Sequence, residues 1–135
     1  MTSVSSDSAA PRQLLVVDDH PINRAVASAL AARLGWQATE LAGGEEALTL
    51  LAERAFDVVL LDISMPSLDG ENVLARIRAH PALRRLKVVA YTAHALEDEK
   101  RRLLDAGFDD LLIKPITFQT LAEVLETSPA PTGGA

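Results

Sequence analysis

Five polar residues stand at or just beyond the ends of apolar runs in this sequence. "QLLVVDD" closes on Asp18 and Asp19, "VVLLD" on Asp62, "KVVAYT" on Thr92 and "DLLIK" on Lys114. Three carboxylates, a hydroxyl and an ammonium have a definite chemistry if they meet. Clustered carboxylates raise one another's pKa. A hard divalent cation relieves that repulsion, and Mg²⁺ takes oxygen ligands from one or two carboxylates together with water and phosphate. A lysine holds a phosphoryl oxygen with a compact positive charge, and a threonine hydroxyl can donate to another. Within such a set a carboxylate can act as nucleophile and become an aspartyl phosphate. Asp62 ends the most strand-like segment and is the candidate nucleophile. Singly, each residue has a plainer reading: Asp18, Asp19 and Thr92 can cap helices, and Lys114 can be a solvated lysine.

The elements that must position these residues alternate. Gln13–Asp18 reads as a first strand. In "HPINRAVASALAARLG" the residues Ile22, Val26, Leu30 and Leu34 recur at i+4, a helical stripe, with Pro21 in the first turn and Gly35 as the stop. Trp36–Leu41 alternates imperfectly and reads as a second strand. "GGEEALTLLAERAF" runs from acid to Arg54, the charge order that a helix dipole favours. "DVVLLD" is the third strand, and "DGENVLARIRAHP" a helix stopped at Pro81. Leu86–Thr92 is the fourth strand. "ALEDEKRRLLDAG" is a charged helix with Leu103 and Leu104 inward, Asp110–Pro115 the fifth strand, and "TFQTLAEVLE" the last helix. Strand–helix alternation of this kind implies parallel strands joined by right-handed crossovers. Runs such as "VVLL" suit a sheet covered on both faces. Such sheets bind ligands beyond the carboxyl ends of their strands, which is the edge that Asp18, Asp19, Asp62, Thr92 and Lys114 share.

A chain of 135 residues, 48% hydrophobic, fits one folded domain, expected over residues 13–126 between tails 1–12 and 127–135. The net charge of −6 argues against a nucleic-acid surface. No apolar run nears the roughly 20 residues of a membrane span, and the first residues do not read as a signal peptide. The absence of cysteine removes thiolate metal sites and suits a cytoplasmic protein. His20, His80 and His94 lack metal-site spacing, and His20 and His80 read as loop or boundary residues. Asp69–Gly70 reads as a turn and helix start.

The ordered set "VVDD", "LLDISMPSLDG", "VVAYTAHA" and "LLIKP" resembles the receiver domain of two-component response regulators, over about residues 13–126, with a motif style most like receivers of hybrid kinases and phosphorelays. The resemblance implies a flavodoxin-like, doubly wound five-stranded parallel sheet of order 2-1-3-4-5 with five helices. It implies that Asp62 accepts a phosphoryl group from a histidine of a sensor kinase or phosphotransfer protein. Asp19 and Asp62, with the carbonyl of Ser64, would bind Mg²⁺ directly, and Asp18 through a bound water. Thr92 and Lys114 would contact the phosphoryl group, and the Lys114–Pro115 bond would be cis. Such a domain is a phosphorylation-controlled switch rather than a turnover enzyme. With only a short segment after the last helix, its expected output is binding to an effector protein or onward phosphotransfer.

Three positions bear on switching and phosphoryl lifetime. Leu111 stands where receivers usually carry Tyr or Phe. Ser64 and His94 each stand two residues after a site residue, and the resemblance implies that these two positions flank the path of the attacking water. A receiver cut from a hybrid kinase would read the same way. A phosphatase of the haloacid dehalogenase type would need a second Asp where Ser64 stands, and a nucleotide hydrolase a G-x-x-x-x-G-K-[ST] loop that is missing.

Overall fold

The computed structural model describes residues 11–64, 70–93 and 96–126. Of the two expected tails, only Pro11 and Arg12 fall within them. Five strands, β1 (Gln13–Val17), β2 (Gln37–Leu41), β3 (Val58–Asp62), β4 (Lys87–Thr92) and β5 (Asp110–Ile113), form one parallel sheet of order β2-β1-β3-β4-β5. The helices α1 (Pro21–Arg33), α2 (Gly44–Glu53), α3 (Gly70–Ala79), α4 (Glu97–Ala106) and α5 (Phe118–Glu126) lie between and after them, and a 3₁₀ turn follows α3 at Pro81–Leu83. The expected fold and strand order are those observed.

Side chains alternate across a strand, and here both sets are buried. Leu15, Val17, Val59, Leu61, Val88 and Ala90 pack with Ala47, Leu51, Val73, Leu74, Ile77 and Leu103, from α2, α3 and α4. Leu14, Val16, Val58, Leu60, Val89 and Tyr91 pack with Ala27, Ala31, Leu121, Val124 and Leu125, from α1 and α5. The sheet is thus a partition between two cores, which is why β3 has no exposed residue. β2, at the edge, is only partly covered, which accounts for its imperfect alternation.

Several element ends differ from the sequence reading. β1 stops at Val17 and β5 at Ile113, so Asp18 and Lys114 are the first residues beyond their strands; β2 starts one residue after Trp36, which is buried. The stripe in α1 marks the helix but not its inner face. Ala27 and Ala31 are buried, Leu30 and Leu34 are partly so, and Ile22 and Val26 are exposed. An i+4 row drifts about 40° per step around a helix with 3.6 residues per turn, so four such residues cannot all face the sheet. In α4, Leu103 is buried and Leu104 exposed, because adjacent helical residues point about 100° apart.

One glycine is required by close approach. A Cβ on Gly70, the first residue of α3, would lie 2.9 Å from Ile63 Cγ2 and 3.2 Å from Ile63 Cα. Asp69, the other half of the expected turn, lies outside the described residues.

Candidate functional site

The carboxyl ends of β1, β3, β4 and β5 are neighbours through the pairs Val17↔Leu61, Asp62↔Tyr91 and Thr92↔Ile113. Asp62 is the last residue of β3 and is almost fully buried. Its Oδ1 accepts from the Ser64 backbone N–H at 2.9 Å and from the Ser64 hydroxyl at 2.7 Å. Its Oδ2 accepts from Lys114 Nζ at 3.1 Å. Thr92, the last residue of β4, is buried, and its carbonyl accepts from the Lys114 backbone N–H at 2.8 Å. The loop carrying the lysine is therefore tied to β4. The Lys114–Pro115 peptide is cis.

The two buried carboxylates differ electrostatically. Burial pushes Asp62 upward, but the Ser64 hydroxyl and N–H and the Lys114 ammonium outweigh it, and its pKa lies below the usual value. Burial pushes Asp18 up, the charge of Asp62 adds to this, and the His20 N–H only partly offsets it, so its pKa is raised. The two shifts run in opposite directions because the donors stand around Asp62. Asp18 Oδ1 accepts from His20 N at 2.9 Å, whereas its buried Oδ2 has no hydrogen-bond partner among the described residues.

Asp19 Oδ1 is likewise buried and accepts no hydrogen bond among the described residues. Asp18, Asp19, His20 and Asp62 each offer a ligand atom, all within 4.8 Å of one another. A buried anionic centre with orphaned oxygens is the donor set that a hard divalent cation satisfies. The residues present therefore fit Mg²⁺.

The structure thus brings Asp18, Asp19, Asp62, Ser64, Thr92 and Lys114 to one edge. Leu111, three residues before Lys114, is partly buried against the core on the α2–α4 side. His94 lies outside the described residues. The sequence reading missed three contributors. His20 joins the acidic cluster despite lacking metal-site spacing, because the end of β1 turns its ring back onto Asp18 and Asp19. Arg24, one turn into α1, donates from Nη1 to the Asp18 carbonyl at 2.8 Å. Tyr91, next to Thr92, is buried with its ring centroid 4.8 Å from Lys114 Nζ. Tyr91 lies in β4 and Lys114 just beyond β5, and no sequence signal joins them.

Residues 14–126 match the response regulator receiver domain family, and the chain belongs to it. It is a phospho-accepting receiver domain of two-component or phosphorelay signalling. It is 41% identical over 124 residues to the sensor histidine kinase RcsC of Salmonella typhimurium, covering 92% of this chain and 13% of that protein. It is 43% identical over 121 residues to the sensor protein GacS of Pseudomonas syringae, covering 87% and 13%. The chain thus spans about an eighth of the length of these sensor kinases. Among solved structures it superposes, with a TM-score of 0.80 and 34% identity, on the receiver domain of the sensor histidine kinase PA1611 of Pseudomonas aeruginosa, determined with a magnesium ion coordinated in the active site cleft; 88% of this chain and 98% of that one are covered. The chemotaxis response regulator CheY4 of Vibrio cholerae shares the fold with a TM-score of 0.82 at 24% identity.

Proposed function

We propose that Asp62 is the phosphoryl acceptor and that residues 13–126 are the functional unit. The observation that carries this reading is the buried Asp62 carboxylate held between Ser64 and Lys114, 3.1 Å from the lysine ammonium. An Asp62 oxygen attacks the phosphorus of a phosphohistidine, the P–N bond breaks, and the imidazole leaves. Positioning and charge neutralisation do most of the work in such a transfer. Lys114 turns from Asp62 Oδ2 to a phosphoryl oxygen, and the Thr92 hydroxyl takes up another. Ser64 orients the carboxylate beforehand, and its carbonyl would be a ligand for the cation. Mg²⁺, held by Asp19, Asp62 and that carbonyl, with Asp18 acting through a water, would neutralise charge accumulating on the transferred group.

The donor is a histidine of a sensor kinase or of a phosphotransfer protein, met in the cytoplasm, and the output is an effector protein or a further histidine. Among the described residues no helix is long and apolar enough to cross a membrane. The 135-residue chain incubated with Mg²⁺ and acetyl phosphate should gain one hydroxylamine-labile phosphoryl group. The variant Asp62→Asn should fold and stay unlabelled. Equal labelling of the two proteins would remove Asp62 from the role.

A further inference from the structure

We infer that His20 is a nitrogen ligand of the acidic centre, giving the site a binding mode for borderline transition ions such as Zn²⁺ that Mg²⁺ does not use. This rests on the reading that the carboxylate cluster holds a divalent cation, and extends it to a residue that reading does not employ. His20 Nδ1 lies 2.9 Å from Asp19 Oδ1 and 3.5 Å from Asp18 Oδ1. Despite the 2.9 Å approach, Asp19 Oδ1 accepts no hydrogen bond among the described residues. The two atoms are close without being aimed at each other, as donors converging on a third point are. Ligand atoms bound at about 2.1 Å to one ion sit about 3.0 Å apart along an octahedral edge and about 3.4 Å apart along a tetrahedral one. Both observed spacings are below the roughly 4.2 Å that two ligands on opposite sides of one such ion would span, so His20 Nδ1 can share an ion with either oxygen.

An independent observation points the same way. Asp18 is fully buried, and its Oδ2 is without a hydrogen-bond partner among the described residues, beside the same cluster. The His20 ring has no competing task in the helix that follows: His20 is the residue before α1, and its side chain makes no capping hydrogen bond. Its own N–H, donated to Asp18 Oδ1, fixes the backbone that carries the ring. His80 provides the contrast, because its Nδ1 already accepts from Ala82 N at 3.2 Å. Imidazole suits zinc, copper and nickel, whereas Mg²⁺ holds to oxygen ligands and its own waters. One cluster therefore offers two donor sets, an all-oxygen set for the hard ion and a mixed nitrogen–oxygen set for the softer one.

Calorimetric titration of the full chain with Zn²⁺ and, separately, with Mg²⁺ tests this in the wild type, His20→Gln and His80→Gln. His20→Gln should weaken Zn²⁺ binding roughly tenfold or more, while its Mg²⁺ affinity stays within about twofold of wild type. His80→Gln should change neither. In ¹⁵N spectra of the histidine rings, Zn²⁺ should shift His20 Nδ1 and Mg²⁺ should not. Unchanged Zn²⁺ affinity in His20→Gln would overturn the assignment. So would a parallel loss of both metals, which would report damage to the acidic centre, or an equal loss in His80→Gln, which would put the ion elsewhere. Failure of Asp62 to label with acetyl phosphate would count against the proposed function alone, since the zinc titration reads His20 without any phosphoryl chemistry.

Discussion

At the scale of single residues, Tyr91 supplies an aromatic where Leu111 does not. Its ring faces the Lys114 ammonium at 4.8 Å. Burial, together with the charges of Asp18 and Asp62, pushes its phenol up to about 12, so it stays neutral beside the site. A cation–π contact of this kind contributes about 0.5–2 kcal/mol and holds the lysine over Asp62. Tyr91→Phe keeps the ring and should label with acetyl phosphate at close to the wild-type rate. Tyr91→Leu should slow labelling by roughly threefold to tenfold, since each 1.36 kcal/mol is a factor of ten. Equal rates in the two variants would show that the ring does not place the lysine. The strand-end residues were legible in the sequence because a carboxylate or lysine closing an apolar run marks the ligand edge of a parallel sheet. Tyr91 was not. In a strand buried on both faces every residue is apolar-like, and the pattern carries no sign of which side chains flank the site.

At the scale of elements, the junction between β3 and α3 is closed by Gly70 against Ile63, immediately after Asp62. A methyl at Gly70 would press on the Ile63 backbone at 3.2 Å as well as on its side chain. Backbone cannot swing aside, so Gly70→Ala should cost about 1–3 kcal/mol, visible as a lower urea midpoint, and a variant as stable as wild type would show that the junction yields. Helix α1 makes a different point. Its small Ala27 and Ala31 face the sheet, and Ile22 and Val26 are turned to solvent, Ile22 being 76% exposed. Val26 also borders a cavity of about 300 Å³ that Tyr91 and Lys114 line. If a histidine donor approaches Asp62 over this helix, the double variant Ile22→Glu with Val26→Glu should accept phosphate poorly from a cognate kinase or phosphotransfer protein. Its labelling by acetyl phosphate should be unchanged. A parallel drop with both donors would point to a damaged site, and no drop with either to another approach. The i+4 stripe revealed the helix, but the outward turn of its first half depends on how close alanines let it lie to the sheet, which is a tertiary fact.

At the scale of the whole molecule, the end of the sheet remote from Asp62 is fastened by Lys87, the first residue of β4. Its buried Nζ donates to the Val124 carbonyl, in the last turn of α5, at 2.7 Å, with Asp110 Oδ2 at 4.0 Å. Burial holds the Lys87 pKa below its ordinary value, with Asp110 and Asp109 opposing. The folded chain thus gives up this proton at lower pH than the unfolded chain does. Between that depressed value and the unfolded lysine value of about 10.4, the unfolded state binds more protons, so stability from this residue rises with pH. Wild type should gain on Lys87→Met as urea midpoints are followed from about pH 8 to about pH 10, and parallel curves would deny that burial strains this charge. The parallel sheet was legible from the alternation of elements and its strand order from the receiver resemblance, whereas a buried lysine strap was not, because lysine at a strand start has the sequence signature of a solvated one. The partition by the sheet has its own consequence. The two cores have no residue in common and are joined through the same strands, so either layer of helices can be re-sequenced with little effect on the packing of the other. A surface that receives and a surface that informs can then diverge on separate schedules, provided the short row from Asp18 to Lys114 is left intact. That would let one architecture acquire many correspondents without rebuilding its chemistry.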